Sequence, residues 1–137
     1  MMPPMILQIP KRICDDLIAH ARAELPNECV GVLVGTADGE VKDSYPLINE
    51  LQSPTRFLSE ARSMLAAEKR SRAAGLEFLA IYHSHPTSPP VPSKYDRADH
   101  LSPEILSVII SLAETEPVIK AWRLENDSAH ACDIVVE

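Results

Sequence analysis

Apolar side chains recur at positions 13, 17 and 21, and at 14, 18 and 25, across the stretch from 12 to 24. That is the helical period, and Pro26-Asn27 stops it, so the pattern predicts a first helix. Residues 29–35 and 41–48 then read as two strands, joined across the turn dipeptide Asp38-Gly39 into a β-hairpin. Residues 49–57 carry no period. Beyond them Ser59 offers an N-cap with Glu60 in the first turn, and apolar positions 61, 64, 65 and 67 run to a stop at Gly75, which predicts a second helix. Residues 76–82 are a short apolar, β-branched and aromatic run, read as a buried strand that ends at His83 and His85. Toward the C-terminus two local signals compete: Ser102-Pro103-Glu104 is a good helix start, whereas Val108-Ile109-Ile110 favours a strand. The reading adopted is a strand over 106–113, with strands 117–124 and 131–136 following around a turn at 125–128. Helix, two strands, helix, strand, short helix and three strands indicate an α/β domain with a mixed sheet and helices packed against it.

With 137 residues the chain fits one domain, 1–137, around one core. Hydrophobic residues at 45% and charged residues at 24% exclude a disordered chain. The formal net charge of −7 disfavours nucleic acid or an anionic membrane as partner, because both require a concentrated basic face. Arg62, Lys69, Arg70 and Arg72 lie on the second helix among Glu60 and Glu68, as a solvated face would. Cysteines 14, 29 and 132 form no Cys-x-x-Cys pair, so neither a disulfide framework nor a cysteine metal site is expected. Residues 1–5 lack the basic flank and apolar core of a signal peptide, and no run approaches the ~20 apolar residues of a membrane span. A soluble protein of the reducing cytoplasm is expected.

Candidate chemistry concentrates in His83-Ser84-His85-Pro86 and in Ser93-Lys94-Tyr95-Asp96. Histidines at i and i+2 of a strand face the same side with Cα atoms roughly 6.5 to 7 Å apart, so both imidazoles can converge on one ion. Two nitrogens and a carboxylate suit zinc, with water in the fourth position. Pro86, Pro89, Pro90 and Pro92 stiffen the link between the histidines and Ser93. Ser93-x-x-Asp96 also reads as a capping box, which accounts for those two residues without a metal. Glu28 is the candidate general base, against the alternative of a solvated acid at a helix-to-strand junction. Asp99 and His100 read either as partners that orient a ligand or, the favoured reading, as a surface ion pair. Cys29 is expected on the opposite face from Glu28 as a buried thiol, and Trp122 in or beside the core.

Together, Pro26-Asn27-Glu28-Cys29-Val30-Gly31-Val32-Leu33-Val34-Gly35 and the later His83-x-His85-Pro86, six residues, Ser93, two residues, Asp96 resemble the JAMM (JAB/MPN) metalloprotease family. All five site positions of the family pattern match, and the likeness runs from about residue 5 to 136, including Arg56-Phe57. The resemblance implies a single MPN-type, cytidine-deaminase-like α/β domain. It implies Zn²⁺ held by His83, His85 and Asp96, Glu28 as general base and acid, and Ser93 stabilising the oxyanion. Single-domain members include enzymes acting on sulfur carriers of the ThiS and MoaD type. The expected activity is therefore hydrolysis of the amide after the C-terminal Gly-Gly tail of a ubiquitin-like or sulfur-carrier protein, with residues 49–57 as an edge for that tail. The alternatives are a non-catalytic MPN scaffold or a RadC-like JAB domain, though the helices that usually precede the latter are absent. A zinc cytidine deaminase is excluded, since the chain has no Pro-Cys-x-x-Cys and no His-x-Glu.

Overall fold

A computed structural model of the chain describes residues 6–100, 102–125 and 128–137, the Asp99 side chain excepted. Residues 1–5 and positions 126 and 127 of the expected turn lie outside them. The elements run β1 (Ile6–Ile9), α1 (Lys11–Ala23), β2 (Val30–Gly35), β3 (Val41–Leu47), α2 (Ala61–Ala73), β4 (Glu77–His85), α3 (Lys94–Asp99), β5 (Leu106–Ser111), β6 (Val118–Glu125) and β7 (Ser128–Val136). The strands form one seven-stranded sheet in the order β1-β7-β6-β5-β4-β2-β3. Pairs β1–β7 and β4–β5 are parallel and the others antiparallel, so the mixed sheet with flanking helices is as expected.

Each face of the sheet has its own core. Ile13, Cys14, Leu17 and Ala21 of α1 pack with Leu33, Ala80, Tyr82, Val108 and Ile110 on one face. Ala67 of α2 packs with Val30, Val32, Val34, Tyr45 and Leu47 on the other. The i, i+4 stripe of α1 and the strand alternation of β2 and β4 are the sequence cause of this two-sided arrangement.

The structure differs from the sequence expectation at the ends of elements. Strand β1 was not expected at all. The N-cap of α2 is Glu60, whose carboxylate accepts from Ser63 N at 2.6 Å, because Ser59 is taken up in a bridge with Asn49. Strand β7 starts at Ser128 rather than 131, since its antiparallel pairing with β6 reaches Glu125↔Ser128.

What positions the site is the meeting of three strand ends. Parallel β4 and β5 finish together at His85↔Ser111, and antiparallel β2 begins beside them at Val30↔His83. The carboxyl ends of adjacent parallel strands are where α/β sheets offer a ligand crevice.

Candidate metal centre

His83 and His85 are the last alternating residues of β4, and both imidazoles emerge on the α2 face. Their Nε2 atoms approach to 3.2 Å. Asp96 joins from α3, with Oδ2 at 3.1 Å from His83 Nε2 and 3.0 Å from His85 Nε2. All three are buried, at 1%, 3% and 5% exposure.

The capping box expected from the sequence is what delivers the acid. Ser93 Oγ accepts from Asp96 N at 3.1 Å, and Ser93 N donates to Asp96 Oδ2 at 2.9 Å. The metal-site and capping readings are therefore one structure: the helix start holds the carboxylate against the imidazoles.

Hydrogen bonding fixes which lone pair of His85 faces inward. His85 Nδ1 lies 2.7 Å from the Pro89 carbonyl, which can only accept, so Nδ1 carries the proton and Nε2 presents its lone pair to the centre. Burial pushes Asp96 up, but the two imidazoles beside it and the Ser93 N–H outweigh that and hold the carboxyl well below its ordinary range. The His85 Nε2 lone pair, His83 Nε2 and a carboxylate oxygen thus converge on one point. Such a cluster of acceptors can hold a metal ion.

Glu28 precedes β2. Carrying the register on from Val30↔His83 places it level with His85, on the same face. Its backbone is held by Glu28 N donating to Ser53 O at 2.8 Å and by Asn49 Nδ2 donating to Glu28 O at 3.0 Å. The side chain is 3% exposed, and Oε1 has no hydrogen-bond partner among the described residues. Burial raises the carboxyl to about 8, with His85 pulling it down and Asp96 pushing it up. The solvated-acid reading of Glu28 is thus set aside.

All five expected residues therefore gather at the joined ends of β2, β4 and α3. Cys29 turns to the α1 face as a buried thiol pushed up to about 12 by burial, as its alternation with Glu28 requires. His100 departs from the surface reading: it is half-buried, its Nε2 donates to Ile105 O at 2.7 Å, and it lines a cavity beside His83. The Asp99 side chain lies outside what is described.

Phe57 was missed as a site residue. Its ring stacks on the His83 imidazole, with centroids 4.5 Å apart and planes at 27°. With Leu51, Leu58, Met64 and Ile81 it walls an apolar cavity of about 470 Å³ that opens on His83 and Asp96. The sole sequence signal was Arg56-Phe57 within the family resemblance.

Known proteins resemble this chain in sequence and in fold. A probable TtuB-protein conjugate cleaving protease of Thermus thermophilus is 39% identical over 93 residues, 67% of this chain and 62% of that protein, so the match spans less than two thirds of its length. A CysO-cysteine peptidase of Mycobacterium tuberculosis is 28% identical over 107 residues, 77% of this chain and 73% of that one. The solution structure of a Desulfitobacterium hafniense protein superposes with a TM-score of 0.88 at 38% identity, covering 96% of this chain and 92% of the other. The model of the prokaryotic homologues of the JAB domain matches residues 10–125, and the chain belongs to that family.

Proposed function

We propose that this protein is a zinc metallopeptidase that hydrolyses the amide bond after the C-terminal Gly-Gly tail of a ubiquitin-like or sulfur-carrier protein. The observation that carries the reading is the buried convergence of His83 Nε2, His85 Nε2 and Asp96 Oδ2 next to the Glu28 carboxyl. The donor set fits the metal. Zinc bonds of about 2.0–2.1 Å in tetrahedral array set neighbouring ligand atoms about 3.3 Å apart, and the three separations here are 3.0, 3.1 and 3.2 Å. Bound there, zinc would supply Lewis acidity toward the scissile carbonyl and toward water.

The chain's own residues do the rest. Glu28, dry and level with His85, takes the proton from water and returns it to the departing amine. Ser93 Oγ already accepts from Asp96 N, so its hydroxyl proton is left to donate to the oxygen on which charge develops. His85 keeps its proton on Nδ1 and cannot compete for that role.

An extended segment around the isolated bridge at Ser59 supports the tail as substrate. Glu50 N donates to Leu58 O at 2.8 Å and Glu60 N to Ile48 O at 2.9 Å, which makes Asn49 and Ser59 a non-hydrogen-bonded antiparallel pair. The main-chain groups of Ser59, and by alternation those of Phe57, then face away from that ladder, beside the cavity at His83. An extended tail can pair there, and glycines pass the narrow approach where side chains would collide. The edge in this reading is 57–59, which shares only Phe57 with the 49–57 stretch read from the sequence. Free thiols at Cys14, Cys29 and Cys132 accord with a cytoplasmic enzyme, and the net charge of −7 with a protein rather than a nucleic-acid partner.

The test is cleavage of sulfur-carrier adducts by the zinc-loaded protein, read by mass spectrometry. Scission after Gly-Gly, lost when the last glycine is replaced by valine, is the expected result. Zinc-loaded protein that cleaves no carrier or peptide adduct would instead favour the non-catalytic scaffold.

A further inference from the structure

Three successive carbonyls of the proline loop are each held by a different donor. Ser111 Oγ donates to Ser88 O at 2.7 Å, His85 Nδ1 to Pro89 O at 2.7 Å, and Trp122 Nε1 to Pro90 O at 2.9 Å. The outer two donors come from β5 and β6, strands that carry none of the five site residues. Ser111 is the register partner of His85, and it is 3% exposed. Its Oγ also accepts from Ala113 N at 3.2 Å, which orients the hydroxyl proton toward the loop.

The loop needs this help because of its composition. Prolines at 86, 89, 90 and 92 supply no N–H, and Val91 N to Pro89 O at 2.8 Å is the one backbone bond internal to the loop among the described residues. With φ of Pro89 and Pro90 fixed near −65°, the freedom that remains there is in ψ, and a bond to a carbonyl fixes ψ of the residue that bears it. Ser111 therefore ties down the Ser88 carbonyl and Trp122 the Pro90 carbonyl, on either side of the Pro89 carbonyl that accepts from both Val91 N and His85 Nδ1. The same loop runs directly into Ser93 and so carries Asp96.

We propose that Ser111 and Trp122 are positioning residues of the metal centre, acting through the 88–90 carbonyls to hold the His85 imidazole with Nε2 turned inward. Groups that orient a metal-ligating histidine through its other nitrogen commonly contribute ten- to a hundredfold in metal affinity. The inference rests on the zinc reading above, and its test separates the two.

Zinc affinity is measured by competition with a chromophoric chelator for the wild type, Trp122→Phe, Ser111→Ala and Ser111→Thr. Trp122→Phe and Ser111→Ala are each expected to bind zinc about tenfold more weakly, whereas Ser111→Thr, which keeps the hydroxyl, stays close to the wild type. In the zinc-loaded variants the His85 Nδ1 proton exchanges with solvent faster than in the wild type, as read by NMR. A role in packing alone would lower the melting temperature of the metal-free protein and leave both the affinity and the exchange rate unchanged. Wild-type affinity in both Trp122→Phe and Ser111→Ala overturns the inference while the hydrolase reading stands. No zinc bound by the wild type overturns the reading and the inference with it.

Discussion

Burial holds the Glu28 carboxyl at about 8 against an ordinary value of 4.5, so in the metal-free protein the folded state favours its neutral form. Between those values the folded chain binds more protons than the unfolded one. The stability linked to this group is therefore fully present below about 4.5 and is lost as pH rises through 8. Glu28→Gln removes that penalty. The metal-free variant is expected to melt roughly 5 °C higher than the wild type at pH 8.5, a difference that vanishes toward pH 4, as thermal unfolding at the two pH values will show. The same substitution retains zinc but lowers hydrolysis by about 10²–10⁴-fold, since no group remains to move the proton. The five candidate residues could be picked out because their types and spacing follow chemistry that tolerates few substitutes, and the fold brings them together. The role of Phe57 was not legible: beyond its place in the family resemblance, a ring stacked on His83 from 26 positions upstream leaves no period that would mark it as a site residue.

Elements were read well where a local pattern and the tertiary packing agree. At 106–111 the β-branched run prevailed over the Ser-Pro-Glu helix start because the segment sits between β4 and β6 with all six residues buried. Strand β1 has only four residues, and it exists because β7, at the other end of the chain, pairs with it in parallel from Ile6↔Asp133 to Ile9↔Val136. No local signal encodes that. In β2, Gly31 faces Tyr82 across the β2–β4 ladder, and a Cβ there would lie 2.2–2.3 Å from the buried ring. Tyr82 cannot withdraw freely, because its hydroxyl is 2.7 Å from His20 Nδ1. Gly31→Ala is expected to cost about 1–3 kcal/mol in urea unfolding without loss of the zinc ligands. Ser93→Ala tests the double use of the α3 start. It should cost about 1 kcal/mol as a lost cap and about 10²–10³ in rate as a lost donor, so steady-state kinetics on the folded variant will read a larger effect than stability does.

Over the whole molecule, the site is a product of sheet order rather than of any one segment. Glu28, His85 and Asp96 meet because β2 runs antiparallel to β4 while β5 runs parallel to it and ends at the same edge. The α/β class could be read from the alternation of elements, whereas the order β1-β7-β6-β5-β4-β2-β3 could not, since β1 pairs with β7 from the other end of the chain and β4 pairs with β2 rather than with its predecessor β3. None of the helices among the described residues is long and apolar enough to cross a membrane. A metal held by the buried His83, His85 and Asp96 would be linked to the stability of the entire fold. Stripping zinc with a chelator is expected to lower the melting temperature by several degrees, and one equivalent of zinc to restore it, because the ion binds the folded chain and not the unfolded one. The most direct measurement is mass spectrometry of a Gly-Gly-linked carrier adduct incubated with the zinc-loaded protein in ¹⁸O-water. Hydrolysis at this site gives an unlabelled amine product and a carrier whose new C-terminal carboxylate carries one ¹⁸O, with no product from Glu28→Gln. An adduct left intact by zinc-loaded protein, or cleavage that persists in Glu28→Gln, would contradict it.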